Sequence, residues 1–405
     1  MRTLPLSEAE IVAWITLCSK RGLGPVALRR LLTRFGLPTE ILSHAPQDLM
    51  PTLDAKGVTS LLQHDPRLPA QIQRTLDWCA LDGNWLLTLA DPAYPRALLD
   101  LHDAPPLLYV RGKLALLQRP SVAIVGSRHG TAQGTLTTES LAAALASAGV
   151  PVVSGLALGI DAAAHRGALA TSGETIAVVG TGVDIVYPSR HARLAAEIAE
   201  RGTIISENAL GETAQRQHFP RRNRLIAALS RGVVVVEAAV NSGSLITARC
   251  AGDLGRQVFA MPGSIHSPLS KGCHQLIRDG ATLVESRDHV LEGLGLEAGL
   301  ELALDLGGEV TPVPVPITSP TGSAGDRPTG IAASHSSDCA QPDSPQPGDA
   351  ALLSALGHDP LSVEALARRS GLHGAALQTA LLRLELRGHI ERLPGARVGR
   401  LVRPG

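Results

Sequence analysis

Aromatic side chains are scarce: phenylalanine, tyrosine and tryptophan together make up 2% of the 405 residues. An aromatic ring set among charged residues is therefore informative. An excess of charge of either sign is also lacking, with 37 basic against 37 acidic residues and a pI near 7.3. That balance excludes a polycation that coats nucleic acid by bulk attraction and leaves only local patches for such binding. Cysteine is sparse: Cys18, Cys79, Cys250, Cys273 and Cys339 are odd in number and far apart, without a CxxC pair. This spacing excludes a disulfide framework or a zinc site and fits reduced cytosolic thiols. Long hydrophobic runs are missing at the N-terminus, where Met1 to Glu8 leads into a helical pattern with polar breaks. Neither a signal-peptide core nor a bilayer span is present there, so the expected location is cytoplasmic, with no membrane partner.

What is present is a long middle stretch, Ser121 to Glu285, where short β-branched runs alternate with helix-length amphipathic segments. The runs are Val122 to Val125, Val152 with Val153, Thr175 to Val179, Thr203 to Ile205, Val233 to Val236, Val258 to Met261 and Ala281 to Val284. Strands this apolar, spaced by helices, predict an α/β, Rossmann-like, doubly wound, mostly parallel sheet covered on both faces. Such sheets bind ligands in the crevice outside the carboxyl ends of their strands. Gly126-Ser127-Arg128, Ser154-Gly155, Gly180-Thr181-Gly182, Glu237 and Pro262-Gly263 all fall at strand ends. Glycine there opens the backbone to a ligand and the next helix N-terminus favours an anion, so the expected guest is phosphate. Because Gly126, Gly130 and Gly134 do not space as GxGxxG, NAD and FAD are poor guests. No cofactor, metal or catalytic residue is expected.

Residue type narrows the site. Arg128, at the first strand's turn, suits a phosphate better than a core, the alternative being an ordinary exposed arginine. Ser154 and Gly155 offer a hydroxyl and a close-approach backbone. Asp161 and His165, at i and i+4 on one helix face, form either an acid/base or metal pair or a loop-fixing pair; no third ligand is spaced for a metal. The sharpest local signal is Phe219-Pro-Arg221-Arg222-Asn223-Arg224. Single-stranded DNA requires this combination, arginines neutralising phosphates while a ring stacks on a base. The opposing reading tucks Phe219 into the core and pairs Arg224 with Glu237 or Asp161. Ser242, Gly243 and Ser244 open a helix, as an anion seat or a plain cap. Lys271 is a further phosphate partner.

Read in order, the chain carries Asp91-Pro-x-Tyr94-Pro95, Gly126-Ser-Arg128, Ser154-Gly-Leu-Ala-x-Gly-Ile-Asp161, Phe219-Pro-x-Arg-Asn-Arg224, Ser242-Gly-Ser-Leu-Ile-Thr-Ala248 and Leu276-Ile277 before Gly280-Ala281. These motifs resemble those of the bacterial DNA-processing protein A (DprA, or Smf) family, closely over roughly Asp91 to Ser286. The resemblance implies a non-enzymatic, homodimeric binder of single-stranded DNA that helps load the RecA recombinase during natural transformation. One departure is His274, where the family pattern has asparagine.

Flanking segments read differently. Ser7 to about Asp82 is helical, and Gly22-Leu-Gly24-Pro25 with the helix after it reads as part of a helix-hairpin-helix or sterile-alpha-motif-like unit. Arg29, Arg30 and Arg34 there are phosphate contacts or a solvated face. Between Trp85 and Gly112, prolines predict short extended pieces capping the main sheet. Asp305 to Asp349 is rich in Pro, Ser, Thr and Gly without periodicity, which predicts a disordered tether. From Asp349, three helices and a hairpin around Pro394-Gly395 predict a winged helix, with Arg392, Arg397, Arg400 and Arg403 around the wing. The expected domains are 1–82, 83–298, a linker at 299–348, and 349–405. Two other functions compete. A nucleotide-processing enzyme of the lysine-decarboxylase-like Rossmann group would need a PGGxGTxxE loop, which is absent. A winged-helix transcriptional regulator would need base-reading side chains on the third helix, which carries Gln378, Thr379, Leu381 and Leu382.

Overall fold

Seven parallel strands form where the β-branched runs predict them, and two antiparallel strands precede them. They are β1 Asn84–Thr88, β2 Leu107–Gly112, β3 Val122–Val125, β4 Val152–Ser154, β5 Thr175–Val178, β6 Thr203–Ser206, β7 Gly232–Val235, β8 Gln257–Ala260 and β9 Thr282–Leu283. The computed structural model describes residues 7–20, 22–49, 52–53, 55–171, 173–296, 347–357, 359–393 and 395–401. The expected tether, 299–348, lies outside these residues up to 346; its last two positions belong instead to a helix that starts at Pro347. Two units result, one within residues 1–299 and one within 300–402.

In the first unit the nine strands run in the order β1-β2-β6-β5-β4-β3-β7-β8-β9. The segment expected to cap the sheet instead extends it: β1 pairs antiparallel with β2, and β2 with β6. The prolines that argued against regular structure, Pro92, Pro95, Pro105 and Pro106, all sit in the β1–β2 connection, so the strand N–H groups stay free for the ladder. Tyr94, buried in that connection, donates its hydroxyl to the Pro105 carbonyl at 2.8 Å.

Helices α7 Ala132–Ser147, α8 Ile160–Leu169, α9 Ala192–Arg201, α10 His218–Leu229, α11 Ser244–Asp253, α12 Lys271–Arg278 and α13 Arg287–Gly293 cover the sheet. Both faces are aliphatic: one packs Ala123, Val125, Val153, Val178 and Ile205 under Leu225 and Ile226, the other Ala177, Val179 and Ile204 under Ile198. Each fully buried Val, Ile or Leu adds about 1.5–3 kcal/mol, so this core holds without aromatic filler. Six helices precede the sheet: α1 Glu8–Cys18, α2 Pro25–Phe35, α3 Pro38–Ser43, α4 Pro46–Leu49, α5 Ala55–Leu62 and α6 Leu68–Cys79. They enclose a core of their own around Leu17, Leu28, Leu31 and Ile41, while Trp14 and Ile15 of α1 join the sheet's second face beside Tyr109.

The second unit comprises α14 Pro347–Leu356, β10 Leu361–Ser362, α15 Val363–Ser370, α16 Gly374–Leu386, β11 Ile390–Leu393 and β12 Arg397–Arg400. Its strands order as β10-β12-β11, all antiparallel, a winged helix. Ser362 caps α15 by accepting from Ala365 N at 3.2 Å, and Gly371 ends it in the left-handed region at φ 70°. Arg383 of α16 and Arg387 just after it clamp the buried Asp349 carboxylate. Leu381, expected on the reading face, is core; Gln378, Thr379, Leu382 and Leu386 are exposed. Two wing arginines are already engaged, Arg392 by Glu385 and Arg397 by the Pro360 carbonyl, while Arg403 lies outside the described residues. Among the described residues, no helix is long and apolar enough to cross a membrane.

Candidate nucleic-acid interface

Strand order reverses at β3, whose neighbours are β4 and β7, so the expected crevice opens between the β3 and β7 loops. Glu237, just after β7, fills that gap. Its carboxylate accepts from Thr131 N at 2.9 Å and Thr131 Oγ1 at 2.7 Å. Thr131 in turn caps α7 by accepting from Gly134 N at 2.9 Å. The open space lies one step along, over the ends of β3, β4 and β5. There a small pocket is lined by Arg128, Gly155, Ala157, Thr181, Tyr187, Phe219 and Arg222, among others.

Three side chains define its mouth. The Arg128 guanidinium carbon stands 5.3 Å from the Phe219 ring centroid, a cation–π contact worth about 0.5–1 kcal/mol at an exposed site. Phe219 lies 5.7 Å from Tyr187, the rings tilted by 45°. Tyr187 is 49% exposed, leaving an aromatic face free for a ligand. Arg128 itself is exposed, but its loop is tied down: Ser127 Oγ accepts from His129 N at 3.1 Å and Ser127 O accepts from Ile160 N at 3.1 Å. Phe219 and Arg221 sit in the first turn of α10, where the helix dipole favours an anion, although Pro220 has no N–H and His218 N already donates to Gln215 O at 3.0 Å. Arg221 is exposed.

Behind the mouth, several expected contacts prove to be internal. Arg222 is 4% exposed and donates to the carbonyls of Gly155 and Val178. Burial lowers its pKa to about 10, against the raising influence of the Asp161 carboxylate. A Cβ on Gly155 would come 2.0 Å from Arg222 Nη1, so the glycine makes room for this guanidinium rather than for a ligand. Gly126 likewise makes room for the Ile160 side chain. Both findings correct the expectation that these glycines open the backbone to phosphate. Ser154 is fully buried and donates to Ile124 O at 2.7 Å. Arg224 pairs with Glu207 and Asp103, not with Glu237 or Asp161. Burial raises the Glu207 pKa, opposed chiefly by Arg224.

The Asp161–His165 pair divides into two separate structural roles. Asp161 accepts from Ala157 N at 3.3 Å, holding the loop after β4; burial raises its pKa, opposed by Arg222. His165 Nδ1 lies 2.8 Å from Thr175 Oγ1, which itself donates to Val152 O at 2.6 Å. The threonine oxygen therefore accepts from Nδ1–H, fixing a neutral imidazole with the proton on Nδ1. Its Nε2 has no partner, and burial lowers the His165 pKa to about 3.

Ser242, Gly243 and Ser244 stand apart from the pocket. Ser242 Oγ and Ser244 Oγ are 2.7 Å apart, Ser244 N donates to Ser242 Oγ at 3.3 Å, and Gly243 O accepts from Asn223 Nδ2 at 3.2 Å. Ser242 lines a different groove with Ile246 and Arg249 of α11 and Gln275 of α12. Lys271, exposed at the start of α12, has no protein partner among the described residues. His274 Nε2 is 3.0 Å from Gly263 O, bracing the loop before α12. The pocket thus brings together Arg128, Gly155, Phe219 and Arg222 of the sequence-derived set, and leaves Ser154, Arg221, Arg224, Ser242, Gly243, Ser244 and Lys271 outside its lining. It adds Tyr187. The signal for that residue was present in its rarity, one of three tyrosines in the chain.

A doubly wound α/β domain with a cationic, aromatic strand-end rim, preceded by small helices and accompanied by a winged helix, defines a class of nucleic-acid-handling protein. The family model described as DNA recombination-mediator protein A matches residues 85–295, and that of the DprA winged helix domain matches 337–396. The chain belongs to this DprA/Smf family. Protein Smf of Synechocystis is 34% identical over 98% of this chain and 100% of its own length. Protein Smf of Escherichia coli is 40% identical over 81% and 80% respectively. The X-ray structure of DNA processing protein A from Streptococcus pneumoniae is 38% identical, covers 71% of this chain and 98% of its own, and superposes with a TM-score of 0.61.

Proposed function

We propose that this chain is a cytoplasmic, non-enzymatic recombination mediator that holds single-stranded DNA at the strand-end rim. The observation that carries the reading is the Arg128–Phe219–Tyr187 cluster: an exposed guanidinium over one ring and a second ring half open to solvent, in a chain with few aromatics. A base stacks on Tyr187 or Phe219 while its phosphates meet Arg128, Arg221 and the positive end of the α10 dipole. Lys271 extends the same contact. Arg222 and Arg224 serve this reading from behind, by holding the rim in place. The domain division at 82/83, 298/299 and 348/349 belongs to the same proposal.

Family membership supports the finer steps. The protein loads the RecA recombinase onto incoming DNA during natural transformation and works as a homodimer, which raises its affinity through effective concentration. The edge of the sheet at β9, with Leu283 44% exposed, supports a self-contact there. The test is fluorescence-anisotropy binding of oligo-dT against a matched duplex across a salt series. Preference for the single strand with a steep salt dependence is expected; equal affinity for both, or none, would overturn the reading.

A further inference from the structure

Helix α2 presents a second basic surface. Arg29, Arg30 and Arg34, with Thr33, Thr52 and His102, line an open cleft. Several arginines elsewhere are matched by a carboxylate: Arg119 by Glu174, Arg166 by Glu139, Arg201 by Glu197, Arg224 by Glu207 and Arg256 by Asp100. Among the described residues, no carboxylate forms an ion pair with Arg29, Arg30 or Arg34. The side-chain hydrogen bonds they do make go to neutral oxygens. Arg29 Nη1 donates to Leu101 O at 3.3 Å and Leu99 O at 3.5 Å, and Arg34 Nη1 to Thr52 Oγ1 at 3.3 Å. The Arg34 guanidinium also lies 5.4 Å from the Phe35 centroid. These contacts fix the positions of two charges without neutralising either, and leave most of their donors free. Like charges one turn apart on a helix repel, so the cluster lacks its counter-charge within the protein.

The cleft is tied to the rim through one residue. His102, in its wall, precedes Asp103, whose carboxylate lies 3.2 Å from Arg224 Nε on α10, the helix that carries Phe219 and Arg221. We propose that the α2 cleft is a second nucleic-acid contact, gripping the phosphodiester backbone of the same single strand beyond the part held at Arg128 and Phe219. This rests on the reading of the rim given above. Guanidinium groups suit phosphate through paired N–H donors. Phe35 lies under Arg34 and beside His44, ring centroids 5.1 Å apart, so the cleft reads charge and not bases.

The test compares oligo-dT of about 6 and about 30 nucleotides, shorter and longer than one groove accommodates, on the full chain and on an Arg30→Glu/Arg34→Glu variant. Arg29 is left in place because it ties α2 to the 99–101 segment. The variant is expected to lose affinity for the long oligonucleotide by on the order of tenfold and to flatten its log–log salt dependence by about 1.4, or about 0.7 for each lost phosphate contact. Binding of the short oligonucleotide is expected to stay unchanged, and Arg30→Lys/Arg34→Lys to retain the salt dependence. An unchanged affinity and slope for the long oligonucleotide would overturn the proposal, as would equal weakening of both. Wild-type protein that binds only the long oligonucleotide, and loses it in the Glu variant, would remove the rim reading and leave the cleft standing.

Discussion

Arg128, in the loop after β3, and Phe219, in the first turn of α10, meet with guanidinium over ring at 5.3 Å. The contact gives the crevice a charged group and a stacking face side by side, as a single strand demands of its binder. Removing the ring tests it. Phe219→Ala is expected to weaken oligo-dT binding by about 1–3 kcal/mol, about fivefold or more. Arg128→Ala should flatten the salt dependence by about 0.7. Anisotropy titrations over a salt series check both, and a thermal melt should find each variant folded.

Arg224 behaves differently, although it belongs to the same motif. It and Glu207 are each 11% exposed in their side chains. Breaking such a pair from one side strands a buried charge and costs about 3 kcal/mol or more. Arg224→Ala and Glu207→Gln should therefore lower the urea midpoint markedly while leaving the salt dependence of DNA binding unchanged. A reduced salt slope with unaltered stability would show that Arg224 touches the strand directly.

Glu237 accepts two hydrogen bonds from Thr131, at the far end of the short loop that carries Arg128, and is expected to hold that loop in place. Glu237→Ala should weaken oligonucleotide binding in wild-type protein and add little in an Arg128→Ala background, a coupling of about 1 kcal/mol. Glu237→Gln, which keeps an acceptor, should be milder. Additive losses in the double variant would contradict the positioning role.

Acid should expose the buried imidazole. With the folded pKa of His165 lowered to about 3 from its ordinary 6.5, the unfolded chain binds a proton in that window and the folded chain does not. Stability is thus fully present above pH 6.5 and declines as pH falls toward about 3, by about 1.4 kcal/mol per unit. His165→Gln should flatten that decline, measured as the difference in urea midpoint between variant and wild type across the window.

Much of the fold is legible because each central strand is a short apolar run bounded by glycine, and the wing because Pro394-Gly395 splits two alternating segments. The membership of β1 and β2 in the sheet is not legible, since β2 pairs with a strand far along the chain, Tyr109 opposite Ser206. At the site, Arg128 and Phe219 could be chosen by residue type alone. Arg222 and Arg224 could not be told from them, because a motif gives the identity of a side chain and not what lies behind it. Only the fold reveals the Gly155 and Val178 carbonyls under one arginine and the Glu207 carboxylate under the other.

The guanidinium of Arg222, lying against Gly155, gives the crevice a floor. A guest cannot back into the sheet; it rests on a ledge, open along its length. Release then needs no door to swing, because a strand can peel away sideways, one nucleotide after another, while the rest stays attached. Under the function proposed above, shallow holding sets the tempo at which the strand is given up.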